Sequence, residues 1–96
     1  MIQLIILDEP IEGNEWMNSF LRFVQSQKSF FKASDRMYFI NTDRDRNDVS
    51  EIVNAIVGKT RFLVIALWTY NDPTPVLGYY GSDLWGWIEA NKHKKS

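Results

Sequence analysis

The chain contains no cysteine, a single histidine, three prolines and five glycines among its 96 residues. Without cysteine, disulfide frameworks, thiolate zinc sites, iron–sulfur clusters and cysteine nucleophiles are excluded. The histidine, His93, lies between lysines near the end of the sequence, so a Ser-His catalytic pair is not expected. No apolar run approaches the roughly 20 residues that a membrane helix needs, and no basic stretch precedes the first one as in a secretory signal. We therefore expect a soluble cytoplasmic protein without a membrane partner.

Charge is nearly balanced over the whole chain, with a formal net charge of −1. Three lysines fall within residues 92–96, however, which leaves eight basic and twelve acidic side chains in residues 1–91. A body of this sign repels phosphate backbones unless its cations are grouped on one face. No linker or internal repeat divides the sequence. We expect one domain over residues 1–91, followed by a flexible basic tail over residues 92–96.

Hydrophobic patterns in the first forty residues predict a strand, a helix and a hairpin. Ile2 to Leu7 is a short β-branched-rich run, typical of a strand covered on both faces or at the centre of a sheet. Asn14 to Gln27 predicts an amphipathic helix with the asparagine as its N-cap, and Gly13 and Glu15 are the alternative first residues. Phe30–Phe31 and Met37 to Ile40, separated by a polar break, predict a β-hairpin. The apolar stripe of the helix consists of Trp16, Phe20, Phe23 and Val24.

The second half predicts a helix, a strand and a C-terminal addition. Asp48 to Val57 is an amphipathic segment that opens with the D-x-x-E form of a capping box and stops at a glycine. Phe62 to Trp68 is apolar throughout and predicts another interior strand. After a proline-containing loop, Val76 to Tyr80 predicts a short edge strand, and Ser82 caps a last helix.

The element order is therefore β-α-β-β-α-β with a C-terminal extension, which predicts an α+β fold. Two right-handed crossovers give a four-stranded antiparallel sheet with both helices on one face. The other face is then uncovered, and an apolar set there is larger than the patch a monomer usually exposes. Dimerisation, or folding back of Val76 to Ile88, would cover it. Strand residues alternate between two sets, and one of the two must point away from the helices. One set consists of Leu4, Ile6, Met37, Phe39, Leu63 and Ile65, and the other consists of their neighbours.

Two acidic residues at the end of the first strand are the candidate catalytic and metal-binding site. Asp8 and Glu9 lie where the strand meets a turn. Magnesium needs only one or two protein carboxylates when substrate phosphates complete its coordination shell. The structural alternative is a turn aspartate that bonds its own backbone.

Basic and aromatic residues supply the candidate binding surface. Cations flank the hairpin and the start of the second helix, interleaved with aromatic rings that could stack on bases; a solvated charged rim is the structural alternative. Two tryptophans near the end are candidate interface anchors, with core packing as the alternative. The candidate binding residues are Lys28, Lys32, Arg36, Arg44, Arg46, Trp85 and Trp87.

Several sequence segments resemble those of the SinR-like group of small proteins. These proteins are relatives of the ferredoxin-like CRISPR-associated partner of the spacer integrase. They are Ile5-Ile6-Leu7-Asp8, Tyr38-Phe39-Ile40-Asn41-Thr42-Asp43, Phe62-Leu63-Val64-Ile65-Ala66-Leu67 and Gly81-Ser82-Asp83-Leu84-Trp85-Gly86-Trp87-Ile88. The resemblance implies a homodimer of ferredoxin-like subunits in microbial or phage defence. It also implies that Asp8 occupies the position of the proposed metal ligand for phosphodiester cleavage.

This chain departs from those relatives after the aspartate, where acidic residues (Glu9, Glu12, Glu15) replace their usual basic ones. The expected function is a dimeric interaction module that binds a protein or nucleic-acid partner without catalysis and requires no cofactor. One alternative is a magnesium-dependent nuclease that uses Asp8 from both subunits. Another is a phage-encoded acidic inhibitor or ligand-sequestering protein.

Overall fold

The computed structural model describes residues 1–68 and 82–91. The predicted strand over Val76 to Tyr80 and the tail over residues 92–96 lie outside the described residues. In the described part, no helix is long and apolar enough to cross a membrane. The elements are β1 (Ile2–Leu7), α1 (Met17–Gln25), β2 (Ser29–Ser34), β3 (Met37–Asn41), α2 (Arg46–Val57), β4 (Phe62–Trp68) and α3 (Ser82–Asn91).

The four strands form one sheet in the order β2-β3-β1-β4, and every neighbouring pair is antiparallel. Each of the two crossover helices connects strands that have a third strand between them, as the sequence predicts. This is the ferredoxin-like βαββαβ arrangement, with α3 added after it. The buried run in β1 is explained by its central position, since β3 lies on one side of it and β4 on the other.

Helices α1 and α2 pack on one face of the sheet, which we call the helix face. Phe20 of α1 is fully buried and makes edge-to-face contacts with Trp16 and Tyr38, at ring-centroid distances of 6.0 and 5.3 Å. Alternate residues of β1, Ile5 and Leu7, point to this face, because successive side chains of a strand lie on opposite sides. The other buried members of this core are Ile11, Val24, Ile40, Val49, Val53 and Val57.

Both crossover helices begin at positions that differ from the sequence prediction. Asp45, not Asp48, caps α2: its Oδ1 accepts a hydrogen bond of 2.8 Å from the Asp48 backbone N–H. The prediction that Asp48 caps this helix is therefore wrong by one turn. Asp48 instead lies in the first turn of the helix, where an acidic side chain is also favourable, so its residue type did not distinguish the two positions. The first helix starts at Met17 rather than near Asn14, whose side-chain amide instead donates to the Pro10 carbonyl at 2.6 Å.

The opposite face of the sheet, which we call the α3 face, is covered by the C-terminal helix over only part of its area. Ile88 of α3 is buried in one cluster with Ile2, Leu4 and Phe39. The end of the helix is fixed by polar contacts, since Oδ1 of Asn91 accepts hydrogen bonds from Ser29 Oγ at 2.7 Å and from Asn41 Nδ2 at 3.0 Å. Folding back of the C-terminal segment, one of the two predicted ways to cover this face, is thus observed for its final helix.

Candidate functional site

The candidate residue Asp8 lies in a groove where β1 ends and β4 begins. Its backbone N–H donates to the Arg61 carbonyl at 2.9 Å, which extends the β1–β4 ladder beyond the strands themselves. The groove, here called the Asp8 groove, has a volume of about 640 Å³. Its walls come from the end of β1 and the residue after it, from α2, from the segment between α2 and β4, and from the start of β4. The lining residues are Ile6, Leu7, Asp8, Asn54, Gly58, Lys59, Thr60, Arg61, Phe62 and Leu63.

The carboxylate of Asp8 is paired with the guanidinium of Arg61. Nε and Nη2 of the arginine donate to the same oxygen, Oδ2, at 3.1 and 2.9 Å. The Arg61 side chain is 87% exposed and that of Asp8 49% exposed, so solvent screens the pair and it stabilises the fold only weakly. Its main effect is local, because it holds a cation against the candidate catalytic carboxylate.

The second predicted magnesium ligand, Glu9, points to a different partner. Its Oε2 accepts a hydrogen bond from Thr60 Oγ1 at 3.3 Å. Within residues 1–68 and 82–91, no group of three or more histidine, cysteine, aspartate or glutamate side chains could hold a metal ion together. A magnesium ion at Asp8 would therefore depend on substrate oxygens and water for most of its shell. Magnesium binding by Asp8 and Glu9 stays a prediction.

The predicted basic surface is divided between two ends of the sheet. Lys28 precedes β2, and Arg44 and Arg46 lie at the start of α2, all at the end where β3 finishes. Lys32 and Arg36 lie at the other end of the β2–β3 hairpin. At about 3.4 Å per residue, the backbone positions of Lys28 and Lys32 are roughly 14 Å apart, and Arg36 lies farther along the hairpin. The fold does not bring the five cations together into one patch.

Three of these cations are also paired with carboxylates. Lys28 Nζ lies 2.9 Å from Asp43 Oδ1. The other two pairs are Lys32 with Asp35 at 3.0 Å and Arg44 with Asp48 at 2.7 Å. Because neighbouring acids compensate these charges, the surface attracts a polyanion less than the sequence alone suggested.

The two candidate anchor tryptophans belong to α3. Trp87 is half-buried against the sheet, with its ring 6.3 Å from that of Phe31 and 6.4 Å from that of Phe39. These contacts give Trp87 a packing role on the α3 face, the structural alternative considered for it. The side chain of Trp85 lies outside the described part of the chain.

Large apolar side chains remain exposed on the α3 face beside the helix. Leu63 and Ile65 of β4 are 60% and 38% exposed, and Ile6 of β1, which is paired with Leu63, is half-buried. We call these three residues the open strip. All three belong to the alternating set named from the sequence, and the structure decides that this set points away from α1 and α2. Leu4 and Phe39 of the same set are buried.

Sequence reasoning missed a second cavity, which lies between α1 and the β2–β3 hairpin on the helix face. It has a volume of about 320 Å³, and we call it the Tyr38 cavity. Tyr38 is almost completely buried, and its hydroxyl lies near the ammonium group of Lys32. The one available signal was a polar-tipped ring in a strand whose other core residues are apolar. The lining residues are Ile11, Glu12, Met17, Leu21, Phe30, Lys32, Asp35 and Tyr38.

Comparisons of the chain with protein-family models, with curated proteins and with solved structures return no match.

Proposed function

We propose that this chain is a non-catalytic interaction module that forms a homodimer through the outer edge of β4 and the open strip. The observation that carries the proposal is the exposure of Leu63 and Ile65 on β4, which is an edge strand of the sheet that the described residues form. The resemblance to the SinR-like group, stated from the sequence, adds microbial or phage defence as the proposed setting.

The edge of β4 lacks two of the features that natural proteins use to prevent edge pairing, charged side chains and proline. Its seven residues, Phe62–Trp68, include no charged residue and no proline. Edge strands with this composition pair readily with another strand unless something covers them. One extra residue of β4 lies opposite the Ile2–Gln3 step, so the regular part of the edge extends from Phe62 to Ala66. That length suffices for a short intermolecular ladder.

A second copy of the chain is the partner that this edge fits best. A two-fold axis requires a surface that is complementary to itself, and a strand without charges meets this condition. In an antiparallel β4–β4 pair, the cations that precede each strand, Lys59 and Arg61, lie at opposite ends of the ladder. Parallel pairing would place them side by side, where like charges repel. We therefore propose antiparallel pairing, with the two open strips on one face of a continuous eight-stranded sheet.

The surroundings of Asp8 favour binding over catalysis. A general base or metal ligand must present its carboxylate to the reactant. Here the guanidinium of Arg61 occupies Oδ2 of that carboxylate.

Sedimentation equilibrium at micromolar concentration tests the dimer. We expect about twice the chain mass for the wild-type protein and the monomer mass for Leu63→Glu, because the variant places two carboxylates in the apolar ladder. Ala55→Glu adds the same charge at an exposed position on α2, on the helix face, and is the matched control. It should remain a dimer.

Two outcomes would overturn the proposal. A wild-type protein that sediments as a single chain would refute the dimer. A dimer that survives Leu63→Glu, with unchanged circular dichroism, would show that another surface holds the copies together.

A second candidate function, magnesium-dependent phosphodiester cleavage, is supported by the composition of the Asp8 groove. The sequence lacks basic residues directly after Asp8, but Lys59 and Arg61 line the same groove and could receive a phosphate. Cleavage of single-stranded RNA or DNA with magnesium should then disappear in Asp8→Asn. Glu15→Gln, which neutralises an exposed carboxylate that does not line the groove, should cleave normally. Cleavage that persists in Asp8→Asn would eliminate this candidate.

A further inference from the structure

The Asp8 groove combines apolar walls with cationic residues just before β4. Its volume of about 640 Å³ lies within the range of small-molecule binding sites. Such sites are mostly apolar and contain a few polar groups that orient the ligand. The groove has this composition, so it suits a ligand with an apolar chain and one polar end. The apolar lining residues are Ile6, Leu7, Phe62 and Leu63, and the cationic ones are Lys59 and Arg61.

Arg61 supplies a recognition group that a ligand can reach. Its side chain is largely exposed, and its Nε and Nη2 donate to Oδ2 of Asp8. Nη1 forms no hydrogen bond with any residue in 1–68 or 82–91. Because Asp8 occupies the Nε side of the guanidinium, the edge that consists of Nη1 and Nη2 is open to a ligand. Two parallel N–H groups of an arginine can bind both oxygens of one carboxylate.

The charges around the groove favour a ligand with a single negative charge. Two lining residues, Lys59 and Arg61, are cationic, and one, Asp8, is anionic. Within the described part of the chain, Lys59 takes part in no ion pair or hydrogen bond. Glu9, which accepts a hydrogen bond from the lining residue Thr60, places a second carboxylate nearby. A phosphate monoester carries almost two negative charges and would be repelled more strongly by these carboxylates than a carboxylate ligand would.

We propose that the Asp8 groove binds an aliphatic monocarboxylate. The carboxylate group lies against the open edge of Arg61 and the ammonium of Lys59. The aliphatic chain lies along Ile6, Phe62 and Leu63, where its burial from water supplies the apolar part of the binding free energy.

Occupancy of the groove also affects association between copies of the chain. This effect rests on the proposed function, in which the copies associate through the open strip. Ile6 and Leu63 line the groove and also belong to the open strip. An aliphatic chain that covers Leu63 removes this side chain from the contact between the copies. The ligand and a second copy therefore compete for the same surface.

Titration of the full chain at pH 7, followed by amide chemical shifts in NMR, tests the site with octanoate, octan-1-ol and octyl phosphate. The three probes share one chain and differ in the polar end. Octanoate should bind about three- to tenfold more tightly than octan-1-ol, because only the carboxylate forms charge-assisted hydrogen bonds with Arg61. It should also bind more tightly than octyl phosphate. The shifts caused by octanoate should cluster at the amides of Lys59, Arg61 and Leu63.

Substitution of an arginine separates recognition of the carboxylate from adsorption of the chain to an apolar surface. Arg61→Gln should abolish the preference for octanoate over octan-1-ol. Arg22→Gln removes the same charge from an exposed position on α1, outside the groove, and is the matched control that should keep the preference. Both side chains are exposed, so the circular dichroism of both variants should equal that of the wild type.

Sedimentation equilibrium with octanoate tests the competition. Saturating octanoate should shift the wild type from the dimer mass towards the monomer mass, whereas the same concentration should leave Arg61→Gln a dimer. A wild type that is monomeric without ligand would refute the dimer alone, and the NMR titration would still decide the carboxylate site.

Four results would overturn the inference. They are the absence of shifts at millimolar octanoate, tighter binding of octyl phosphate than of octanoate, an unchanged preference in Arg61→Gln, and a wild-type dimer that persists when NMR shows the groove to be saturated.

Discussion

The two faces of the sheet carry similar alternating apolar residues but are covered very differently. On the helix face, α1 and α2 close over a core in which Phe20, Val49 and Val53 are fully buried. On the α3 face, one ten-residue helix covers Ile2, Leu4 and Phe39 and leaves Leu63 and Ile65 exposed. An antiparallel sheet can have one face packed on the core while the other remains partly solvated. The difference shows that equal hydrophobicity in strands does not imply equal burial.

The largest expected effect is at the centre of the helix face. Phe20→Ala should lower the free energy of unfolding by about 3–5 kcal/mol, because a buried ring is lost and the surrounding helices and strands close the cavity only partly. Urea denaturation followed by circular dichroism measures it. Leu63→Ala, measured in a sample dilute enough to be monomeric, should lower the free energy of unfolding by less than about 1 kcal/mol, since the Leu63 side chain is mostly exposed. Equal costs would contradict the contrast between the faces.

Ile88→Ala tests how much α3 contributes to its own face. The side chain is 4% exposed, so its truncation should cost about 2–3 kcal/mol, the lower part of the range for buried isoleucine. It should also increase binding of a hydrophobic dye, because the α3 face opens while the helix face stays closed. A variant with unchanged stability and dye binding would show that α3 does not cover the sheet in solution.

Asn91→Ala should cost about 1–2 kcal/mol. Removal of the Asn91 amide takes away the hydrogen-bond acceptor of the buried Asn41 side chain. The Ser29 hydroxyl loses the same acceptor. Asn54→Ala, at an exposed position on α2, is the matched control and should change the free energy of unfolding by less than about 0.5 kcal/mol. The urea midpoints of the two variants measure the difference. An equal loss of unfolding free energy in both would show that the Asn91 contacts do not stabilise the position of α3.

The smallest expected effect on stability is the pH dependence that Tyr38, on the helix face, contributes. Burial raises the pKa of Tyr38 above its ordinary value of 10.0, and the nearby Lys32 ammonium opposes this rise in part. Above pH 10 the unfolded chain then loses the phenol proton before the folded chain does, so this residue lowers stability as pH increases. From pH 9 to pH 11, the free energy of unfolding of the wild type should therefore fall relative to that of Tyr38→Phe. A pH-independent difference would contradict the buried phenol.

Local sequence patterns predicted the elements well because each element carries its own period. The capping position was missed at α2, since Asp45 and Asp48 are both suitable residues and only the backbone decides which one accepts the hydrogen bond. The candidate site was predicted less completely. Asp8 was identified from its place at a strand end, but its partner Arg61 is 53 residues away in the chain, beyond the reach of any local pattern.

The sequence by itself determined the α+β element order, the antiparallel sheet and the division of the strand residues into two alternating sets. These follow from hydrophobic periodicity, which is a local property. Only the tertiary structure decided which set points away from the two crossover helices and which part of it α3 buries, that the basic residues divide between two ends of the sheet, and that Tyr38 borders a cavity. Each of these depends on contacts between distant segments, where packing and charge pairing are determined by the whole fold.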